Sequence, residues 1–209
     1  MKLYYFPLYG RAEPIRVLLA KAGVEYEDVR VPFAEWGPMK AANFSETGQM
    51  PVFELDDGTK LVQSGAILRY LGKTYNYIPA DPMVEYYGEA TFHGFKSDFL
   101  DKQLPKILAA TPDEKKGAWC EMANTHFLPW VEKFATRLTK GKYICGDDLS
   151  IYDFVVGGWM LDVCTNPNNQ GKEAWDVVFP QIPERVKQDL ADYKAENADY
   201  YAKRPESTF

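Results

Sequence analysis

The stretch GQMPVFELDDGTKLVQSGAILRYL, residues 48–71, decides how the first third of the chain folds. Two short apolar runs flank Asp57-Gly58, a dipeptide typical of tight hairpin turns, so this stretch predicts two antiparallel strands. From Ser64 to Leu71 the apolar residues then recur at helical spacing. Strand, turn, strand and helix therefore follow one another without a break.

The residues before this stretch predict a parallel unit. KLYYF, residues 2–6, is typical of a strand, and apolar residues recur at helical spacing between Gly10 and Gly23. A second strand is predicted at residues 26–31, and a helix between two strands is the minimal crossover of a parallel sheet. The next segment shows no clear period and is predicted to be irregular. The order β-α-β, irregular segment, β-β-α predicts an α/β domain over residues 1–74.

The rest of the chain is predicted to be helical. Residues 75–82 carry two prolines and no helical period, so they are interpreted as a linker. Strand signals fade beyond them, and residues 83–209 are predicted to form an all-helical domain of about five or six helices. Two capping boxes mark helix starts: Thr111 with Glu114, at a long helix that ends before Gly141, and Ser150 with Asp153.

Composition and charge exclude several classes of function. The net charge is −6, with acidic and basic residues mixed along all 209 residues, so no basic stripe suits nucleic acid. No apolar window approaches the ~18 residues that span a bilayer, and no signal sequence opens the chain, so we expect a soluble, cytoplasmic protein. The three cysteines form no CxxC and the two histidines are far apart, so we expect neither a disulfide scaffold nor a metal site.

Three features of the sequence are candidates for binding chemistry. Pro51 opens a strand, where it is either an ordinary trans proline or follows a cis bond from Met50. Gln63 and Ser64 stand where a strand gives way to a helix, whose free amides suit a carboxylate, although Ser64 is equally suited to be a plain N-cap. Tyr5 ends the first strand, where its phenol is either a hydrogen-bond donor to an anion or a core residue.

Together with EYEDVRV at residues 25–31 and AILRYL at residues 66–71, these features resemble the cytosolic glutathione S-transferases. The motif YFPLYGRAEPIR, residues 5–16, is most similar to the sigma class, whose relatives include glutathione-dependent prostaglandin D synthases and S-crystallins. The resemblance implies a thioredoxin-like domain followed by a helical domain, a homodimer, and glutathione as cosubstrate without a metal. It also implies a cis peptide bond before Pro51.

The resemblance implies two catalytic residues. Tyr5 corresponds to the tyrosine whose hydroxyl donates a hydrogen bond to the glutathione sulfur, and Arg11 to the arginine that adds positive charge beside it. A positioned donor stabilises the thiolate and lowers the pKa of the thiol. A surface role for Arg11, paired with Glu13, stays an alternative.

The resemblance further implies which residues bind the glycine and cysteine parts of glutathione. Trp36 and Lys40 correspond to the residues that hold the glycine carboxylate, by an indole donor and an ammonium. Gln49 and Met50 match the segment before Pro51, in which the backbone of Met50 pairs with the cysteinyl part.

The γ-glutamyl end is expected to meet a third group of residues. Gln63 and Ser64 match its binders at the helix start. Asp98 is the counterpart of an acid that reaches the γ-glutamyl amine in the neighbouring subunit. Asp101 is the second choice, and either carboxylate is alternatively part of a solvated helix face.

The site for the second substrate is expected to be apolar. Its predicted lining is Phe6, Leu8 and Tyr9 from the first domain, with residues near Leu100 and Leu104 from the second. Prostaglandin-isomerising relatives carry a tryptophan soon after the Asp98 position, whereas the next one here is Trp119. We therefore expect conjugation of glutathione to hydrophobic electrophiles, with a dedicated isomerase or a non-catalytic protein, as S-crystallins are, as alternatives. A glutaredoxin-like reductase is disfavoured because no cysteine ends the first strand.

Overall fold

The computed structural model describes residues 1–138 and 141–208. The strands of the described part are β1 (Lys2–Tyr5), β2 (Glu27–Arg30), β3 (Val52–Glu54) and β4 (Lys60–Val62). Its α-helices are α1 (Glu13–Lys21), α2 (Phe33–Ala41), α3 (Ser64–Thr74), α4 (Pro82–His93), α5 (Asp101–Ala109), α6 (Pro112–Glu121), α7 (Leu128–Ala135), α8 (Ile151–Trp159), α9 (Lys172–Val178), α10 (Glu184–Glu196) and α11 (Ala198–Lys203).

The four strands form one mixed sheet in the order β2-β1-β3-β4. β1 pairs parallel with β2 and antiparallel with β3, which pairs antiparallel with β4. This β-α-β, β-β-α arrangement, followed by the helical domain, confirms the predicted thioredoxin-like fold class. The register pairs Val52 with both Tyr4 and Val62. Three residues one step beyond these pairs therefore lie at the same end of the sheet: Tyr5, Pro51 and Gln63.

The prediction of an irregular segment after β2 is wrong, because residues 33–41 form α2. None of its residues is buried, so the helix has no apolar face that a period could reveal. Gly37 and Pro38 lie inside it, and both residue types usually interrupt helices.

Three π-helical stretches extend or join the helices of the second domain. The backbone stays helical through each of them, so α4 continues into α5, and α6 into α7. The long helix predicted from Thr111 thus exists, but α7 ends at Ala135 rather than just before Gly141. Residues 139–140 lie outside the described residues. The π-helical stretches are Gly94–Leu100, Met122–Phe127 and Met160–Cys164. Among the described residues, no helix is both long and apolar enough to cross a bilayer.

Both predicted capping boxes are present, and the one at α8 is buried. The Ser150 amide and hydroxyl donate to Asp153 Oδ2 at 2.8 Å and 2.6 Å, and the Ile144 amide donates to Oδ1 at 2.9 Å. Burial raises the pKa of Asp153 to about 6, against the opposing effect of these hydrogen bonds. The Asp153 carboxylate therefore caps the start of α8 and also fixes the loop before it.

Replacing Asp153 with alanine should destabilise the protein by about 2 kcal/mol, because two amides and a hydroxyl lose their acceptor inside the protein. Denaturant unfolding measures this loss. The matched control is Glu114→Ala at the exposed box of α6, where water replaces the lost acceptor and the loss should be clearly smaller. Equal losses at the two boxes would contradict the role of burial.

The two domains meet at a buried ion network. Glu13 is fully buried and accepts hydrogen bonds from Arg16 Nη1 at 3.1 Å and from Arg204 Nη1 at 2.6 Å. Arg204 Nη1 also donates to Asp162 Oδ1 at 2.6 Å, and the Tyr200 hydroxyl donates to Glu13 at 2.8 Å. Buried charges persist only when they are paired in this way. The network joins α1 of the first domain to the end of the chain's described part.

Candidate functional site

A cavity of about 410 Å³ lies between the two domains. Tyr5 and Ser64 border it from the sheet side, and its other walls are mostly aromatic and aliphatic. Such a cavity suits a hydrophobic ligand oriented by a few polar groups. Its apolar lining includes Phe6, Leu8, Phe95, Leu100, Leu104 and Trp159.

The Tyr5 hydroxyl is held by the loop that leads into α1. Tyr5 is only 8% exposed, and its oxygen accepts a hydrogen bond from the Arg11 amide at 3.1 Å. Gly10 has φ +46°, and a Cβ there would lie 2.7 Å from the hydroxyl oxygen, so this close approach requires glycine. Because the amide occupies an acceptor position, the hydroxyl proton is available for donation into the cavity.

Burial raises the pKa of the Tyr5 phenol above its ordinary value of 10.0, and this outweighs the opposing effects of the Arg11 amide and of the Arg11 and Arg16 charges. The phenol is therefore protonated at neutral pH. A protonated phenol donates a hydrogen bond and carries no charge that would repel an anion.

The Arg11 guanidinium lies at the mouth of the cavity. Its Nη2 donates to Asp101 Oδ1 at 2.8 Å, and Lys96 Nζ donates to the other carboxylate oxygen at 2.8 Å. The alternative in which Arg11 pairs with Glu13 is wrong, because Glu13 is buried in the ion network. Asp98, by contrast, is exposed and pairs with Lys102 at 3.2 Å. Asp101 is therefore engaged within its own chain, and Asp98 faces solvent.

The helix start at α3 differs from the plain N-cap alternative. Gln63 is the N-cap residue, with φ 67°, and its side chain makes no capping bond. Ser64 is the first helical residue and borders the cavity. The Met50–Pro51 peptide bond is cis. The register described above places Pro51 between Tyr5 and Gln63 at this end of the sheet.

α2 brings the remaining predicted residues near the same end of the sheet. The Trp36 ring lies edge-on to Phe6, with centroids 6.4 Å apart. Lys40 crosses the loop before β3, where a Cβ at Gly48 would lie 3.1 Å from its Cε. The Gln49 carbonyl accepts a hydrogen bond from Ser45 Oγ at 2.8 Å. Trp36, Lys40 and Gln49 lie outside the lining of the interdomain cavity. The residues predicted for the site that do line it are Tyr5, Phe6, Leu8, Arg11, Ser64, Leu100, Asp101 and Leu104.

The prediction that Tyr9 lines the cavity is wrong. Its side chain turns toward the helical domain and is 4% exposed, with the Arg204 guanidinium 3.7 Å from its ring centroid. Sequence reasoning missed Lys96 and Trp159, which do line the cavity. Nothing local marks Trp159, because α8 is apolar around nearly its whole circumference. Trp119 is buried in the helical core, against Trp175.

The fold and the cavity define a two-domain protein with a thioredoxin-like first domain. Residues 1–73 match the family described as "Glutathione S-transferase, N-terminal domain". Glutathione S-transferase 1 of Ascaris suum is 33% identical over 74% of this chain and 76% of its own length. S-crystallin 3 of Enteroctopus dofleini is 44% identical over 73% and 76%. Rat hPGDS in complex with a quinoline shares the fold, with a TM-score of 0.81 at 23% identity over 100% of this chain and 98% of its own. The chain belongs to the glutathione S-transferase family. This confirms both the family and the enzyme class predicted from the sequence.

Proposed function

We propose that the protein is a glutathione transferase, which joins the thiolate of reduced glutathione to hydrophobic electrophiles. The observation that carries this proposal is the buried Tyr5 hydroxyl, held by the Arg11 amide at 3.1 Å on one side of an apolar cavity. A sulfur placed against this hydroxyl faces space that suits a hydrophobic partner. The proposal includes a cytoplasmic location and a role in detoxification, as the family resemblance implies.

The reaction that we propose is nucleophilic substitution or addition by the cosubstrate's sulfur. A free thiol has a pKa near ~8.5, and the Tyr5 hydroxyl stabilises the thiolate by donating a hydrogen bond to it. The thiol proton passes to water, and the sulfur electron pair forms a bond to the electrophilic carbon. A leaving group departs with its own bonding pair, or an activated double bond takes up the electrons. The protein's work is to orient both reactants and to favour the thiolate.

In the proposed binding mode, glutathione lies across the end of the sheet at which Tyr5, Pro51 and Gln63 are found. Trp36 and Lys40 hold the glycine carboxylate, and the backbone of Met50 pairs with the cysteinyl part. Gln63 and Ser64 receive the γ-glutamyl end, where the amide groups at the start of α3 favour a carboxylate. The side-by-side register of Tyr5, Pro51 and Gln63 supports this arrangement.

The 44% identity to S-crystallin 3 favours one alternative, a protein of this fold without turnover. The same relationship supports assignment to the sigma class, which is part of the proposal. Retention of Tyr5, Arg11, Gln63 and Ser64 supports the catalytic function over the alternative.

The experiment that tests the proposed function is the initial rate of conjugation of glutathione to chlorodinitrobenzene, with glutathione varied. A rate that saturates with glutathione, well above the reaction without protein, supports the transferase. If glutathione binds, as calorimetry would show, but neither this electrophile nor a panel of soft electrophiles is converted, the non-catalytic alternative replaces it.

We propose that the active unit is a homodimer formed through α3 and α4. These helices are joined by the ion pair of Arg69 with Glu89. Exposed large side chains lie on them, which is typical of a surface that another protein covers. In the dimer, Asp98 of one chain reaches the γ-glutamyl amine bound to the other. The exposed side chains are Tyr70, Met83, Tyr86 and Tyr87, between 44% and 59% accessible.

Introducing a charge into this face should produce a monomer. We expect Tyr86→Glu to sediment as a monomer at concentrations where the unchanged protein is a dimer, because an unpaired carboxylate is costly to bury. Val177→Glu, at an equally exposed apolar position on α9, is the matched control and should leave the dimer intact. An unchanged sedimentation coefficient for Tyr86→Glu would argue against this interface.

A further inference from the structure

The loop between β1 and α1, residues 6–12, controls the proposed catalytic hydroxyl. The Arg11 amide donates to the Tyr5 oxygen, and Gly10 lies directly against it. N–H···O hydrogen bonds span about 2.7–3.2 Å, and the bond from the Arg11 amide, at 3.1 Å, is near the upper end of that range, so a small displacement of the loop would release the phenol. Whatever holds this loop in place therefore affects the chemistry at Tyr5.

One side of the loop is held from within its own domain. Arg16 Nη1 donates to the Leu8 carbonyl at 2.7 Å and to Glu13 Oε2 at 3.1 Å. Arg16 is only 1% exposed, so these bonds are shielded from water. α1 thereby fixes the middle of the loop.

The other side is held by residues 204–208, which we call the strap. The Ser207 amide donates to the Tyr9 hydroxyl at 3.0 Å, and the Arg204 guanidinium stacks on the Tyr9 ring. Arg204 Nη1 also binds Glu13 at the start of α1. The strap thus contacts the loop one residue before Gly10, on the face turned away from the cavity.

The strap is itself fixed to the helical domain. Asn166 Nδ2 donates to the Ser207 carbonyl at 3.0 Å, and Asn166 is 6% exposed. Arg204 Nη1 donates to Asp162, which borders the cavity from the helical side. The loop is therefore held between its own helix and a segment anchored in the second domain.

We propose that Tyr9, Arg204 and Ser207 are positioning residues that hold the Arg11 amide at the Tyr5 hydroxyl. The proposal rests on the proposed function, since it concerns the same thiolate. The strap acts through the loop and lies outside the lining of the cavity. Loosening it weakens the hydrogen bond from the Arg11 amide to Tyr5, and the phenol then stabilises the thiolate less well.

The test combines Tyr9→Phe with a chain shortened to end at Pro205, which lacks Ser207 but keeps Arg204. The readout is the pKa of bound glutathione, from the ultraviolet absorbance of its thiolate against pH, together with the pH profile of kcat/KM. Each change should raise the thiol pKa by about 0.3–1 unit and lower kcat/KM about two- to tenfold below that pKa. The two changes together should do no more than the shortening alone, since the shortened chain already lacks the bond that Tyr9→Phe removes, together with the anchor of the strap to Asn166.

Tyr201→Phe is the matched control, because it loses one hydroxyl hydrogen bond, to Tyr193, without touching the loop. It should leave the thiol pKa unchanged. A thiolate signal in the unaltered protein that is also unchanged in Tyr9→Phe overturns this proposal alone, as do effects that simply add. An unaltered protein that binds glutathione without forming a thiolate overturns the proposed function and this proposal with it.

Discussion

Replacing Tyr5 with phenylalanine should lower kcat/KM for glutathione conjugation about 10- to 100-fold near neutral pH. The ring fits the same space, so the change removes only the hydroxyl that the Arg11 amide holds at 3.1 Å. A loss of this size corresponds to about 1.4–2.7 kcal/mol, the range of a hydrogen bond to a charged group. The thiol pKa should rise by about one to two units, so the loss should shrink as the pH approaches that value.

Steady-state kinetics across pH measure this effect, and Tyr4→Phe is the matched control. Tyr4 lies on the same strand but points to the opposite face, where its hydroxyl lies 3.5 Å from Glu54. Its removal should change the rate little. If Tyr5→Phe kept the full rate and the same pH profile, Tyr5 would be a core residue only.

Replacing Asp189 with asparagine should stabilise the protein in alkaline conditions. Asp189 is 6% exposed, and its Oδ1 has no hydrogen-bond partner among the residues that the structure describes. Burial, followed by the negative charges of Asp153 and Asp192, raises the pKa from 3.8 to about 8, with Arg185 opposing. The folded protein therefore keeps this proton to higher pH than the unfolded chain does.

The sign of the effect follows from that difference in proton binding. Between about pH 4 and pH 8 the unfolded chain releases the proton first, so the stability of the unaltered protein falls as the pH rises. Each unit of pKa difference between the folded and unfolded states corresponds to ~1.4 kcal/mol of stability. Water that enters the site reduces the effect of burial. We therefore expect Asp189→Asn to raise the free energy of unfolding by about 3 kcal/mol above pH 8 and to change it little near pH 4.

Urea unfolding across this pH range measures the gain. Asp148→Asn, at an exposed position whose charge plays no part in the Asp189 shift, is the control and should track the unaltered protein throughout. If the curves of stability against pH ran parallel for Asp189→Asn and the unaltered protein, folding would not raise the pKa of Asp189.

Local signals in the sequence were sufficient for the sheet and for two helix starts. The Asp57-Gly58 turn and the two capping boxes depend on neighbouring residues, and the structure contains all of them. α2 was missed because it buries no face and therefore leaves no period. Helix ends in the second domain were imprecise because π-helical stretches shift the apolar period within continuous helices.

The site was predictable only where a motif carried it. Tyr5 ends β1, and Ser64 begins α3 directly after β4. The strand order then places both residues at the same end of the sheet. Tyr9 was misassigned because its orientation is decided by Arg204, and no local pattern reveals a partner so distant in sequence. For the same reason the pairing of Asp101 with Arg11, which crosses from one domain to the other, could not be predicted.

The buried ion network also sets an order of events during synthesis. Glu13 and Arg16 leave the ribosome together, but Arg204 follows Glu13 by 191 residues. At typical rates of synthesis this is a wait of about 10–40 s, during which the Glu13 carboxylate has one of its two arginine partners. Until then, the first domain therefore exposes charged side chains that the folded protein buries. Its final packing therefore follows the synthesis of Arg204.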